Sequence, residues 1–356
     1  MDSSVFRRFA AILVLFGAGA IAPSNVAAEH DYVLQTAKTK TIKGVYKFEI
    51  EAPKMTAREW IVFAAQAPEL PSQTGTRTKL VPGGETCRDL SDRHRSLLLA
   101  RIPVTSDALK HSVRGRIELQ ATLHSRKLVR REPGVKSAAP VAPSDVERAA
   151  ALAETTTLDF SNDKFQAWLK EHRLHQKRKE DDLDFGRRVF LSIKRSMGYE
   201  YTEKMDRHAS HLCEVDHADC GGMSVLFVAV LRGSKIPARV LAGRWAKSSK
   251  PDATLNGVSY YQQHIQAEFY ARDIGWVPVD LSSAVVHDKT PEGLRYFGND
   301  AGDFLTIHVD PDLKIDSPHF GVKSFPLLQS FHYFVEGTGK LDDVKFHREW
   351  TVETLP

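Results

Sequence analysis

The sequence predicts an α+β protein in which a β-sandwich precedes a domain of helices and an antiparallel sheet. Three observations carry this expectation. Residues 31–130 alternate apolar and polar side chains, a Pro/Ala-rich stretch follows, and from Cys220 one apolar helical stripe leads into consecutive strand-like runs.

In the first part, Tyr46, Phe48 and Ile50 alternate with Lys47, Glu49 and Glu51, and Ile117, Leu119, Ala121 and Leu123 alternate with Glu118, Gln120 and Thr122. A period of two places each set on one face of a strand, the pattern of a half-buried sheet. Residues 60–64 and 96–104 read as two more strands, with Pro68, Pro71, Gly75, Pro82, Gly83 and Gly84 marking a long loop between them. Several short strands without a helical period predict a sandwich over 29–130. The basic residues Arg126, Lys127, Arg130 and Arg131 read as a solvated strand end. The segment 131–143, REPGVKSAAPVAP, predicts a linker, which leaves 144–356 as the second domain.

In that second domain Ser144 caps a helix running to about Leu152, and Asn162 caps another whose Phe165, Trp168 and Leu169 share a face. Residues 177–182 form a charged, solvated patch, and a third helix carries Phe185, Val189 and Ile193 and ends near Gly198. Met223, Leu226, Phe227, Val230 and Leu231 then recur at the i, i+3, i+4, i+7, i+8 spacing of one buried helical stripe. Lys235-Ile236-Pro237 stops that helix, and residues 240–245, 264–270, 276–281 and 304–309 follow as strands.

Composition narrows the function. With 42% hydrophobic and 26% charged residues the chain can bury a core, and a net charge of +4 without a basic, aromatic-interleaved stripe predicts no nucleic-acid surface. At the start, Arg7 and Arg8 precede an apolar run over 9–22, and Val26-Ala27-Ala28 offers the small residues of a cleavage site. A helix of that run spans about 21 Å, short of the ~30 Å hydrocarbon core. This predicts a signal peptide over 1–28, cleaved near Ala28, and a periplasmic or secreted protein with no stable membrane insertion. Three cysteines, Cys87, Cys213 and Cys220, leave at least one thiol without an internal partner. Two states stay open: a Cys87–Cys213 disulfide with Cys220 free, or three unpaired thiols.

Cys220 stands at the mouth of the apolar helix, where the positive end of the helix dipole favours a thiolate. Gly221 and Gly222 would let backbone N–H groups approach a reacting carbonyl. A cysteine at a helix start is plain packing more often than chemistry, so a base and an orienting group are needed. His264 opens a strand, and Asp280 ends the next one; a tight connection at 271–274 would make these strands a hairpin with both residues at one end of the sheet. A carboxylate on Nδ1 would then leave Nε2 free to take the thiol proton.

The stretch from Asp219-Cys220-Gly221-Gly222 through Leu231-Arg232 to Ile236-Pro237-Ala238-Arg239 resembles the core motif of the transglutaminase-like superfamily. His264-Ile265-Gln266-Ala267-Glu268-Phe269-Tyr270 is similar to that family's histidine segment, Gly275-Trp276-Val277-Pro278-Val279-Asp280 to its aspartate segment, and Tyr296-Phe297-Gly298-Asn299 to a segment of its bacterial members. Gln266 departs from the family's tryptophan, and Gly221-Gly222 from its bulkier residues; both bear on the pocket more than on the triad. The resemblance implies a papain-like fold behind an N-terminal β domain. It implies a Cys-His-Asp triad carried over onto Cys220, His264 and Asp280, with an upstream side chain, Tyr199 or Tyr201, helping Gly221 and its neighbours hold an oxyanion.

Residues and resemblance together predict a cysteine-dependent acyltransferase or peptidase acting on protein or peptide amides through a thioester, with no cofactor and no metal. Two other readings stand beside it. One is a zinc site drawing on His208, His211, Cys213, His217 and Cys220, which would consume the nucleophile. The other is a non-catalytic envelope binding module. Nothing in the sequence sets the oligomeric state.

Overall fold

The computed structural model describes residues 31–91, 95–132, 140–202, 204–255 and 257–356. The expected signal peptide and residues 133–139 of the expected linker lie outside the described residues. Two antiparallel sheets enclose one core. In the first, Asn299–Asp300, Ser112–Arg130, Tyr32–Glu51 and Lys345–Leu355 lie in that order, with Gln73–Val81 also paired to Ser112–Arg130. In the second the order is Phe331–Gly339, Met55–Ala65, Ser96–Pro103, Glu85–Arg88. The alternation read from the sequence sets the facing: Ile42, Tyr46, Phe48 and Ile50 are buried against Trp60, Val62 and Ile117.

Two differences from the sequence reading have clear causes. The expected loop over 68–84 contains the strand Gln73–Val81, which buries only Gln73 and Leu80 and so shows no apolar period. Gln73 instead serves as a polar bridge. Its Nε2 donates to the carbonyls of Pro68 and Thr306, both at 2.8 Å, and its Oε1 accepts from Thr306 N at 2.8 Å. The second difference concerns 144–356, expected as one catalytic domain. Phe331–Gly339 pairs with Met55–Ala65, and Lys345–Leu355 pairs with Tyr32–Glu51, so the last strands complete the sheets begun at the N-terminus. The boundary drawn from the linker therefore does not follow the sheets.

The helices expected from Ser144, Asn162 and the 185–193 stripe form as Asp145–Ala150, Asp163–Glu171 and Asp182–Ser196, with a capping box at Ser144 and Glu147. A four-stranded antiparallel sheet, ordered Gly275–Val279, Gln263–Ala271, Ala238–Trp245, Phe304–Val309, carries the apolar helix Cys220–Gly233 on one face. That helix is buried from Gly221 through Arg232, which is why its stripe widens to hydrophobic residues all round. The other face of the sheet meets the sandwich: Leu305 and Ile307 belong to the sandwich core.

Charged side chains lock the layers together. Arg126, expected at a solvated strand end, is fully buried. Its Nη1 donates to Glu268 Oε2 at 2.5 Å and its Nη2 to Asp300 Oδ2 at 3.1 Å, while Arg239 Nε donates to Glu268 Oε1 at 2.6 Å. Sequence could not separate this arginine from its solvated neighbours, because its partners lie 142 and 174 residues further on.

The strand opposite His264 tolerates no side chain at Gly243. A Cβ there would lie 2.0 Å from the Leu305 carbonyl oxygen, a backbone atom that cannot step aside. Gly243→Ala is expected to cost about 1–3 kcal/mol by overpacking, seen in thermal unfolding as a Tm lower by several degrees.

Candidate active site

Cys220 is the first residue of its helix, and Asp219 caps it. Asp219 Oδ1 accepts from Gly222 N at 2.8 Å, meeting one of the helix's orphan donors. Arg207 Nε reaches both oxygens of Asp219 at 3.1 Å and holds the cap in place. The Cys220 side chain opens into a cavity of about 240 Å³ whose walls include Tyr199, Tyr201, Arg207, Tyr260, Ile265 and Gln329.

His264 arrives on the neighbouring strand, paired across from Gly243. The hairpin expected from the sequence is present, with Ala271 opposite Gly275 and Ala267 opposite Val279. It brings Asp280 to the same end of the sheet, and His264 Nε2 donates to Asp280 Oδ2 at 2.8 Å. Asp280 also caps the helix Leu281–His287 by accepting from Ser283 N at 3.0 Å, and Gln266 Nε2 lies 3.3 Å from the oxygen that His264 uses. The carboxylate is thus fixed from three sides.

The ring is turned the other way from the sequence expectation. Nε2, not Nδ1, faces the aspartate, which leaves Nδ1 for the hydrogen bond with the Cys220 thiol. Burial by itself lowers the imidazole's affinity for a proton, but the Asp280 charge and hydrogen bond, and then Cys220, raise its pKa from 6.5 to about 10. Asp280 is itself buried, which opposes its charge, yet His264 and the Ser283 donors hold its pKa below the ordinary carboxylate value.

Tyr199 and Tyr201 both line the Cys220 cavity. Burial, then the Cys220 and Asp219 charges, raise the Tyr199 hydroxyl well above the usual phenol range, so it remains a donor. Gly221 and Gly222 are also closely packed. A Cβ on Gly221 would sit 3.1 Å from Ile265 Cδ1 and 3.2 Å from Arg207 Cδ, and one on Gly222 would sit 3.0 Å from Ala218 Cβ and from Leu212 Cδ2. Four neighbours escaped the sequence reading. Arg207 and Gln329, whose Nε2 donates to the His264 carbonyl at 3.0 Å, carry no local signal. Tyr260, raised to about 12 by burial and then the Cys220 charge, and Trp245, stacked on His264 at 4.6 Å, are aromatics that strand patterns assign to packing.

The other cysteines lie apart. Cys87 is on the sandwich strand Glu85–Arg88, Cys213 follows the helix Ala209–Leu212, and all three thiols are free, so the Cys87–Cys213 pairing is not formed. Burial, then neighbouring Asp89 and Glu214 respectively, raise Cys87 and Cys213 to about 11. The residues of the zinc reading also turn to separate partners: His208 Nδ1 pairs with Asp206 at 2.5 Å, His217 Nδ1 with Asp216 at 2.7 Å, and Cys213 Sγ faces the Ser210 carbonyl at 3.4 Å. Among the described residues no three such side chains converge as ligands.

A thiol, a buried imidazole and a carboxylate in line at one end of an antiparallel sheet define a thiol-enzyme-like arrangement. Residues 172–281, which include all three, match the transglutaminase-like superfamily, and they form a transglutaminase-like domain. Among solved structures, a candidate cysteine protease from Cytophaga hutchinsonii shares the fold over 91% of this chain and 93% of that one, with a TM-score of 0.53 and 12% identity. The periplasmic domain of TgpA from Pseudomonas aeruginosa aligns over 72% of this chain and 94% of that one, with a TM-score of 0.33 and 14% identity. No curated protein matches the chain. Among the described residues no helix is long and apolar enough to cross a membrane.

Proposed function

We propose that this chain is an exported cysteine enzyme that cleaves or transfers acyl groups at protein or peptide amides, with Cys220 as nucleophile, His264 as base and acid, and Asp280 as the group that orients it. One observation carries the reading: His264 is held between the Asp280 carboxylate at 2.8 Å and the Cys220 thiol, and Cys220 itself opens into a cavity. The transglutaminase-like match supports it.

In this reading Nδ1 of His264 holds the proton taken from the thiol. The Cys220 sulfur bonds to the amide carbon, and the carbonyl electrons move onto oxygen. Backbone N–H groups at the helix mouth and the protonated Tyr199 hydroxyl stabilise that oxygen. The C–N bond then breaks, Nδ1 gives its proton to the departing amine, and a thioester remains. Water or a second amine attacks the thioester, returns its proton to Nδ1 and frees the sulfur. How far Tyr260 and its neighbours exclude water decides between hydrolysis and transfer.

The test is iodoacetamide labelling of the purified chain at graded pH, mapped by mass spectrometry. Cys87 and Cys213 act as internal controls, since burial holds both thiols protonated to about pH 11. Near pH 6, Cys220 is expected to label faster than either by roughly tenfold or more. Equal rates at all three would remove the basis for a thiol enzyme. For export, the mass of protein recovered outside the cytoplasm is expected to correspond to cleavage near Ala28.

A further inference from the structure

We infer that Trp245 is a positioning residue for His264, serving as a fixed aromatic wall that keeps the imidazolium facing Cys220 and separated from water; this rests on the catalytic reading above. The indole stacks on the imidazole with centroids 4.6 Å apart and planes 20° from parallel, while Phe304 meets the same imidazole edge-on at 5.9 Å and 90°. A cation held over an indole face within about 6 Å is attracted by the ring's quadrupole, the more so when both are out of water.

Trp245 also stands at a boundary. Besides stacking on His264 it lines a separate cleft of about 470 Å³, together with Lys40, Lys247, Tyr260 and Asp303. Take the indole away and that cleft would reach the imidazole. The wall is anchored at several points. Trp245 N donates to the Gln262 carbonyl at 2.8 Å, and its own carbonyl accepts from Trp350 Nε1 at 3.1 Å. Its side chain is hydrogen-bonded to Tyr260, whose ring lines both the cleft and the Cys220 cavity. Trp350 belongs to the last sandwich strand, so this residue pair ties the sandwich to the candidate site. Gln266, two residues beyond His264, is turned to Asp280 and leaves the ring's face to Trp245.

The titratable groups around His264 are Cys220 from the apolar helix and Asp280 at the end of the next strand, with Tyr260, Tyr199 and Asp303 further out. Of these, Tyr260 alone loses a partner in a Trp245 variant, its hydrogen bond to the indole, so Tyr260→Phe is titrated alongside and a His264 shift beyond the one it gives reports the wall.

The measurement is the titration of the His264 ring by NMR in the full chain, its resonance assigned by its loss in His264→Gln. The wild-type midpoint is expected near 10. Trp245→Leu is expected to lower it by one unit or more, roughly tenfold in proton affinity, and Trp245→Phe, which keeps an aromatic face, by less than half as much. As a second variant with unchanged shape, 4-fluorotryptophan is incorporated throughout; Trp245 alone of the five tryptophans stacks on His264, so the midpoint is expected to fall in that protein as well. An unmoved midpoint in the leucine or the fluorinated protein overturns the inference. Cys220 labelling is followed in parallel. Labelling no faster than Cys87, with the His264 midpoint still moving, would sink the catalytic reading and leave the positioning role standing.

Discussion

Cys220→Ala and His264→Ala are each expected to reduce amide turnover by roughly 10³–10⁶-fold, and the double variant to be no worse than either alone. In the proposed mechanism the two act as one unit: without the sulfur no thioester would form, and without the imidazole the thiol would lose the base that takes its proton. The check is steady-state rates on a peptide substrate identified by mass spectrometry, with Cys220 labelling alongside. Additive losses would mean that the residues act separately. The pH dependence follows from the same pair. The folded pKa of His264, about 10, stands above its ordinary 6.5. The stability it contributes is therefore complete below about pH 6.5 and is lost as pH rises through 10. Asp280 is displaced downward, so its contribution is present above the ordinary carboxylate value and lost as pH falls through its folded value. Unfolding free energy is expected to stay level from just above the ordinary carboxylate range to about pH 6.5 and to fall from there to pH 10, and labelling of Cys220 to lose its dependence on His264 above pH 10.

Glu268→Ala is expected to be the most damaging substitution away from the cysteine, costing about 3–5 kcal/mol and lowering Tm by on the order of 10 °C. Glu268 is fully buried, with Arg126 on one oxygen and Arg239 on the other, and the Arg239 guanidinium lies 3.9 Å over the Trp276 ring. Burial opposes its ionisation, but the two guanidiniums hold its pKa below the ordinary value. Removing the carboxylate leaves Arg239 without its buried partner and Arg126 with Asp300 alone, in a low-dielectric seam between the sandwich and the four-stranded sheet, a larger penalty than the pair itself confers. Calorimetry of the variant checks this. A Tm within about 2 °C of wild type would mean that water enters the seam and solvates both arginines.

That network explains motif residues which chemistry alone leaves unassigned. Arg239, Glu268 and Trp276 stand in segments similar to those of the transglutaminase-like family, yet their contacts are with one another and with Arg126, joining layers. The other motif-borne charge, Arg232, does likewise: its Nη2 donates to Asp310 Oδ2 at 2.6 Å and its Nε to the Ala238 carbonyl at 2.8 Å, closing the turn from helix to strand. Within those segments the chemistry-bearing contact is the one from Cys220 through His264 to Asp280.

The sequence by itself determined what is local. Periods of two and 3.6 placed most strands and helices, because a side chain's face follows from its position along its own element. The spacing of His264 and Asp280 around a short connection brought them to one sheet end, because a hairpin's register follows from its turn. Tertiary structure decided whatever depends on distant chain. It turned His264 so that Nε2 meets Asp280, buried Arg126 against residues 142 and 174 positions away, and returned Lys345–Leu355 to Tyr32–Glu51. It also set Trp245 on the imidazole face and gave Gly221 and Gly222 to internal packing. In each of these the partner is chosen by how whole layers dock, and burial and charge pairing across that docking leave no periodic trace in the residues themselves.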